Sequence, residues 1–265
     1  MSNMTKIIAV TNQKGGVGKT TTSVNLAASL AACKKRTLLI DLDPQGNATM
    51  GCGVEKNDQD ITIYDVLVSD IPIETVIISS QHDKKLKVIP SNDDLTAAEI
   101  ELVSLPHKEF RLKRQIANIA DAYDFIIMDC PPALSMLTIN ALTAAHSVLI
   151  PVQCEYYALE GLSSLIRTIQ KIKQTVNPDL EIEGLLRTMY DPRNSLTRDV
   201  TTQLIEHFGD SVYQTTIPRN VRLAEAPSYG MPALHYDKKS RGAIAYLALA
   251  GELLRLEKKK KTANV

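Results

Sequence analysis

The chain has 265 residues, 44% hydrophobic and 23% charged, with 30 Lys/Arg balanced by 30 Asp/Glu. That length allows one large domain with a substantial core, and the composition is that of a globular protein rather than a disordered or collagen-like one. Four scattered cysteines (Cys33, Cys52, Cys130, Cys154) form no C-x-x-C pair, which argues against a disulfide framework or zinc site and for reduced, buried thiols. The opening residues hold only a four-residue apolar run, and no run is long enough to cross a bilayer, so a cytoplasmic protein is expected.

In chain order, the apolar, β-branched runs at 6–10 (KIIAV), 37–41 (TLLID), 86–90 (LKVIP), 125–129 (FIIMD), 147–151 (SVLIP) and 182–186 (IEGLL) predict strands buried on both faces. Amphipathic stretches at Lys19–Ala32, Lys108–Asp121, Gly161–Val176 and Gly242–Glu257 predict helices between and after them. This alternation predicts an α/β fold: a single domain with a mostly parallel twisted sheet and helices on both faces. It would span residues 1–257, leaving 258–265 (KKKKTANV) as a basic, frayed tail. The neutral total hides an asymmetry. Residues 187–265 carry 13 Lys/Arg against 8 Asp/Glu, and residues 1–186 carry 17 against 22. A basic C-terminal third hints at a polyanion-facing surface.

Residues 11–22 read TNQKGGVGKTTT. The pattern G-x-x-x-x-G-K-[ST] would need a glycine where Gln13 stands; instead Lys14 precedes the pair Gly15-Gly16. The loop still follows an apolar strand and opens a helix, so its N–H groups and the helix dipole can cradle phosphate. Gly15, Gly16, Val17 and Gly18 form the cradle, with Thr21 beside it. Lys19 neutralises phosphate oxygens and the Thr20 hydroxyl suits Mg²⁺. Lys14 has reach enough for a nucleotide in its own subunit or in a facing one. Asp41 and Asp43 leave the second strand and Asp129 ends the fourth, all at the carboxyl edge where ligands bind in such sheets. Asp43 suits orientation of an attacking water, Asp41 a metal's outer shell, and Asp129 a Mg²⁺ held through water.

Together, KGGVGKTTT, DLDPQGNAT, DCPPALSMLTINAL and IPRNVRLAEAPSYGMP resemble the ParA/Soj family of chromosome- and plasmid-partitioning ATPases, within the deviant Walker A group that includes MinD. The resemblance spans about residues 5–257. It implies a single-domain P-loop NTPase fold, that ATP and Mg²⁺ are bound, that Lys14 acts across an ATP-sandwiched homodimer, and that Lys14, Lys19 and Asp43 serve hydrolysis. Thr20 and Asp129 match the Mg²⁺ ligand and the Walker B aspartate, and Pro218 and Asn220 match adenine contacts. Arg193 and Arg222 match residues implicated in binding non-specific double-stranded DNA; Lys238, Lys239 and Arg241 join them by charge and position. A ParB-like centromere-binding protein is the implied partner, and the nucleoid the implied location. Two alternatives remain open at this point: a MinD-like membrane-surface switch, and a metabolic enzyme on the same fold. The first would need a lipid-ready C-terminal helix, which the polar chain end does not suggest.

Overall fold

The computed structural model describes residues 5–156 and 158–263. The ends of the expected domain and tail, residues 1–4 and 264–265, lie outside the described residues. Eight strands form one sheet: β1 (Lys6–Val10), β2 (Thr37–Asp41), β3 (Ile78–Ser79), β4 (Leu86–Ile89), β5 (Phe125–Asp129), β6 (Ser147–Gln153), β7 (Glu181–Tyr190) and β8 (Val212–Pro218). Their order is β3-β4-β2-β5-β1-β6-β7-β8. Every described pairing is parallel except that of the two-residue β3 with β4. The helices are α1 (Lys19–Ala32), α2 (Asn47–Gly51), α3 (Ile63–Val68), α4 (Leu95–Ser104), α5 (Arg111–Ile119), α6 (Met136–Ala144), α7 (Ala158–Thr175), α8 (Ser195–Phe208), α9 (Val221–Glu225), α10 (Ala233–Tyr236) and α11 (Arg241–Ala263).

Because side chains alternate along a strand, each central strand feeds two cores. Ile7 and Ala9 of β1 join Leu38, Ile40, Ile126 and Met128 beneath α3 to α8. Ile8 and Val10 join Leu39, Ile127 and Leu149 on the other face, against Leu26 and Leu30 of α1 and Tyr246, Leu249 and Leu253 of α11. Burial on both faces is why these strands read as unbroken apolar runs. The parallel register sets Val10 and Asp41 each level with Asp129. The loop after β1 and the carboxylates ending β2 and β5 therefore emerge at one edge, side by side.

The departures from expectation have physical causes. β8 was not expected: its Gln214, Thr215 and Thr216 interrupt the apolar pattern, as an edge strand with one solvated side permits. β6 and β7 run on to Gln153 and Tyr190; in that extension the polar yet buried Arg187 donates from one guanidinium nitrogen to the Tyr213 and Gln214 carbonyls at 2.8 and 3.2 Å, while its Nε has no partner among the described residues. The last helix does not fray at 257 but continues through the lysine run to Ala263, where cations favour a helix C-terminus. Cys33 is exposed at the end of α1, unlike the other three cysteines, so the expectation of buried thiols fails there.

Candidate nucleotide site

Gly16 and Gly18 hold φ values of 73° and 84°, the left-handed region that only glycine enters freely, and these turns bend the loop over the start of α1. α1 begins with no side-chain cap, so its first N–H groups are left for an anion. The loop is pinned from both sides. The Asn12 amide donates to the Pro151 carbonyl at 2.8 Å while its oxygen accepts the Lys14 N–H at 3.0 Å. From β7, the Thr188 hydroxyl donates to the Val17 carbonyl at 2.8 Å.

Lys19 is buried, and its ammonium donates to the Lys14 carbonyl at 3.2 Å. Burial draws its pKa below the ordinary lysine value, against the opposing charges of Asp129 and Asp43. A bound polyphosphate would supply the missing counter-charge. Asp129 is wholly buried: its Oδ1 accepts the Ser23 hydroxyl at 2.7 Å, and the Thr20 side chain lies close enough to favour the charged carboxylate. Its Oδ2 is buried with no hydrogen-bond partner among the described residues. Burial, then the neighbouring Asp41, pushes the Asp129 carboxyl above the usual carboxylate range. An orphaned acceptor beside the Thr20 hydroxyl fits a divalent cation or its water.

Asp41 is not free for a metal's outer shell, as the sequence suggested. Its Oδ2 accepts the Thr49 N–H and hydroxyl at 2.8 and 2.7 Å, and its Oδ1 accepts the Asp43 N–H at 3.1 Å. Asp41 thus braces the turn that carries Asp43. Asp43 itself accepts the Gln45 N–H at 3.0 Å, and the Ser91 hydroxyl holds its carbonyl at 2.8 Å. The turn fixes the backbone and presents the carboxylate toward Lys19.

Beside the loop lies a cavity of about 270 Å³, lined on the loop side by Gly18 and Thr21 and on the far side by Pro218, Asn220 and Leu223. Pro218 and Asn220, expected at adenine, are therefore brought to the cradle from β8 and the start of α9. Thr188, Met189, Arg219 and Tyr246 also line it, and sequence reading missed all four. Two hydrogen bonds tie α1 to the C-terminal segment: Thr22 Oγ1 with Tyr246 Oη at 3.1 Å, and the Ala233 N–H to Asn25 Oδ1 at 2.8 Å.

The Lys14 ammonium leaves the loop toward the connection after β6, where it meets Glu155 Oε2 at 2.8 Å. The pair is partly exposed, so it is a weak restraint. The expected DNA residues lie at the same edge. Arg193 grips Asp191 through two bonds of 2.9 and 2.8 Å, which hold the Asp191 carboxyl down to about 2. Arg222 meets Glu225 at 2.7 Å and Asp237 at 3.6 Å. Lys238, Lys239 and Arg241 are exposed and form no ion pair among the described residues.

A glycine-bent loop opening a helix, a buried lysine at its base and level carboxylates on neighbouring parallel strands define a P-loop nucleotide hydrolase, here with an extra lysine in the loop. The family model of an AAA domain matches residues 5–182. The chain is 56% identical over 250 residues to the sporulation initiation inhibitor protein Soj of Bacillus subtilis, covering 94% of this chain and 98% of that one. It is 52% identical to the chromosome partitioning protein ParA of Myxococcus xanthus, covering 94% and 88%. Among solved structures, cobyrinic acid a,c-diamide synthase from Mycobacterium smegmatis with bound ADP and magnesium is 38% identical, with a TM-score of 0.84 over 96% of each chain. The chain belongs to the ParA/Soj family of partitioning ATPases.

Proposed function

We propose that the protein is an ATP-driven dimerisation switch for DNA segregation. Two chains close on two ATP molecules, and Lys14 of each reaches the phosphates held by the other. The observation that carries this reading is the direction of Lys14: its ammonium points out of its own cradle to a partly exposed carboxylate, Glu155, that it can exchange for phosphate. Gly15 to Thr21 and Lys19 hold the phosphates, and Pro218 and Asn220 the base. Thr20 and Asp129 would hold Mg²⁺, which when bound neutralises phosphate oxygens during transfer. Asp43 orients the attacking water. Adenine nucleotides and magnesium accompany a solved relative, which supports both assignments.

The closed dimer then lays Arg193 and Arg222, with Lys238, Lys239 and Arg241, on non-specific double-stranded DNA, without reading bases. A ParB-like partner stimulates slow hydrolysis, the dimer opens, and DNA is released. This places the protein in the cytoplasm on the nucleoid. No described helix is long and apolar enough to cross a membrane.

Two results are expected. With hydrolysis blocked by Asp43→Ala, a random-sequence duplex should bind in ATP and not in ADP, and Arg222→Ala should weaken that binding about tenfold. Retention on anionic liposomes without DNA binding would instead favour the membrane switch. Glu155→Gln frees Lys14, so dimerisation followed by light scattering should need about two- to fivefold less ATP. A higher ATP requirement would mean that Glu155 assists the closed state.

A further inference from the structure

The amino ends of the parallel strands gather at the edge opposite the phosphate loop, and cations crowd there. Lys34 and Lys35 follow α1. Lys84 and Lys85 precede β4, and the Lys85 carbonyl accepts the Thr37 N–H at 2.9 Å, which joins the two turns. α11 runs against the strands and delivers Lys258 and Lys259 to the same edge. Its end is fixed by the pairs Lys6–Glu257 at 3.0 Å and Lys260–Glu181 at 3.6 Å. A cleft of about 350 Å³, lined by Lys6, Lys35, Lys258 and Lys261 with Asp124 and Glu257, connects α11 to the strand edge.

At the carboxyl edge, Arg193 and Arg222 already sit on carboxylates, while Lys238, Lys239 and Arg241 form no ion pair among the described residues. At the amino edge, Lys34, Lys35, Lys84, Lys85, Lys258 and Lys259 form no ion pair among the described residues. The dipole of α11 accounts for cations in its last turn, but not for four more from two other segments. The exposed large apolar side chains of the described chain all lie elsewhere, so the patch lacks what a lipid interface needs. A surface on which six lysines without ion pairs among the described residues are gathered from three segments, with Asp124 and Glu257 the carboxylates that line its cleft, suits a phosphodiester backbone.

We propose that this edge is a second binding surface for the backbone of duplex DNA. With the carboxyl-edge arginines it lets one molecule hold two duplex segments; that bridging rests on the DNA reading above. The test is made on the full chain with ATP in the Asp43→Ala background. Lys85→Gln/Lys258→Gln/Lys259→Gln is compared with a charge-matched control on α7, Arg167→Gln/Lys171→Gln/Lys173→Gln. Duplex affinity is read across a salt series, and bridging as capture of a labelled duplex by an immobilised one.

The edge variant should lose about 2 to 3 from the slope of log affinity against log salt, and bind about tenfold or more weakly near 0.1 M salt. It should also lose capture, while the control changes neither. If the two triples behave alike, the proposal falls. If Arg222→Ala removes all binding and the edge variant none, the function stands and the second surface does not. If the unsubstituted surface binds no duplex at all, both readings fail. Loss of binding only to phosphatidylserine vesicles, with DNA binding intact, would overturn DNA as the occupant.

Discussion

Replacing Lys6 by methionine should lower the unfolding free energy by about 3–5 kcal/mol, the usual loss when one partner of a buried ion pair is removed. Lys6 stands at the foot of β1 with a side chain 15% exposed, 2.8 Å from Glu183, whose side chain is 1% exposed, and 3.0 Å from Glu257. The Ser147 hydroxyl also donates to Glu183, at 2.5 Å, and Glu183 Oε1 is buried with no hydrogen-bond partner among the described residues. Lys6 is the ion-pair partner that this carboxylate has among the described residues. Burial alone would lower the Lys6 pKa, but the charge and hydrogen bond of Glu183, joined by Glu257, leave it raised. The contribution is therefore complete below the ordinary lysine value of 10.5 and fades as pH climbs through the raised value. Urea titration at neutral pH is the measurement. A loss under about 1 kcal/mol would show that water reaches Glu183 readily. The double variant Lys6→Met/Glu183→Gln should recover part of the loss, since no charge is then stranded.

Asp43→Ala should reduce ATP hydrolysis by about 10²–10⁴-fold, the range for losing a positioned acid–base group. Nucleotide affinity should stay within a few-fold, because Asp43 sits on a turn that Asp41 and Ser91 hold by its backbone. Asp41→Asn gives the contrast. Its carboxylate accepts two donors from Thr49 and one from Asp43, so its loss should loosen the whole turn and lower the melting temperature together with the rate. Single-turnover hydrolysis beside a fluorescent-nucleotide titration separates the two. An Asp43→Ala protein that keeps a tenth of the activity would remove Asp43 from the chemistry.

Much of this was legible in the sequence because the information was local. The doubly buried strands announce themselves as apolar runs, α1 was bounded to the residue, and the loop glycines, Lys19, Thr20 and Asp129 come from short contiguous motifs. What escaped depends on contacts far apart in sequence. Glu155 lies 141 residues from Lys14, and Thr188 lies 171 from Val17. Neither spacing leaves a pattern. β8 escaped for a different reason: an edge strand is defined by its one neighbour and needs no apolar run of its own. The carboxylates gripping Arg193 and Arg222 stood in plain view at 191 and 225, yet a charge count reports only their sum and not which partner each arginine has taken.

Thr22 and Asn25 lie on the helix that rises from the phosphate loop, and their partners Tyr246 and Ala233 bracket the exposed Lys238, Lys239 and Arg241. On the proposed reading, the nucleotide site and the DNA surface thus share one short mechanical linkage. Were α1 to tilt as its end closed on phosphate, these two hydrogen bonds would pass the movement to the cationic segment without a relay through the sheet. A variant that broke both tethers, yet kept the loop and the cations, would leave the nucleotide and polyanion sites working as strangers on one scaffold.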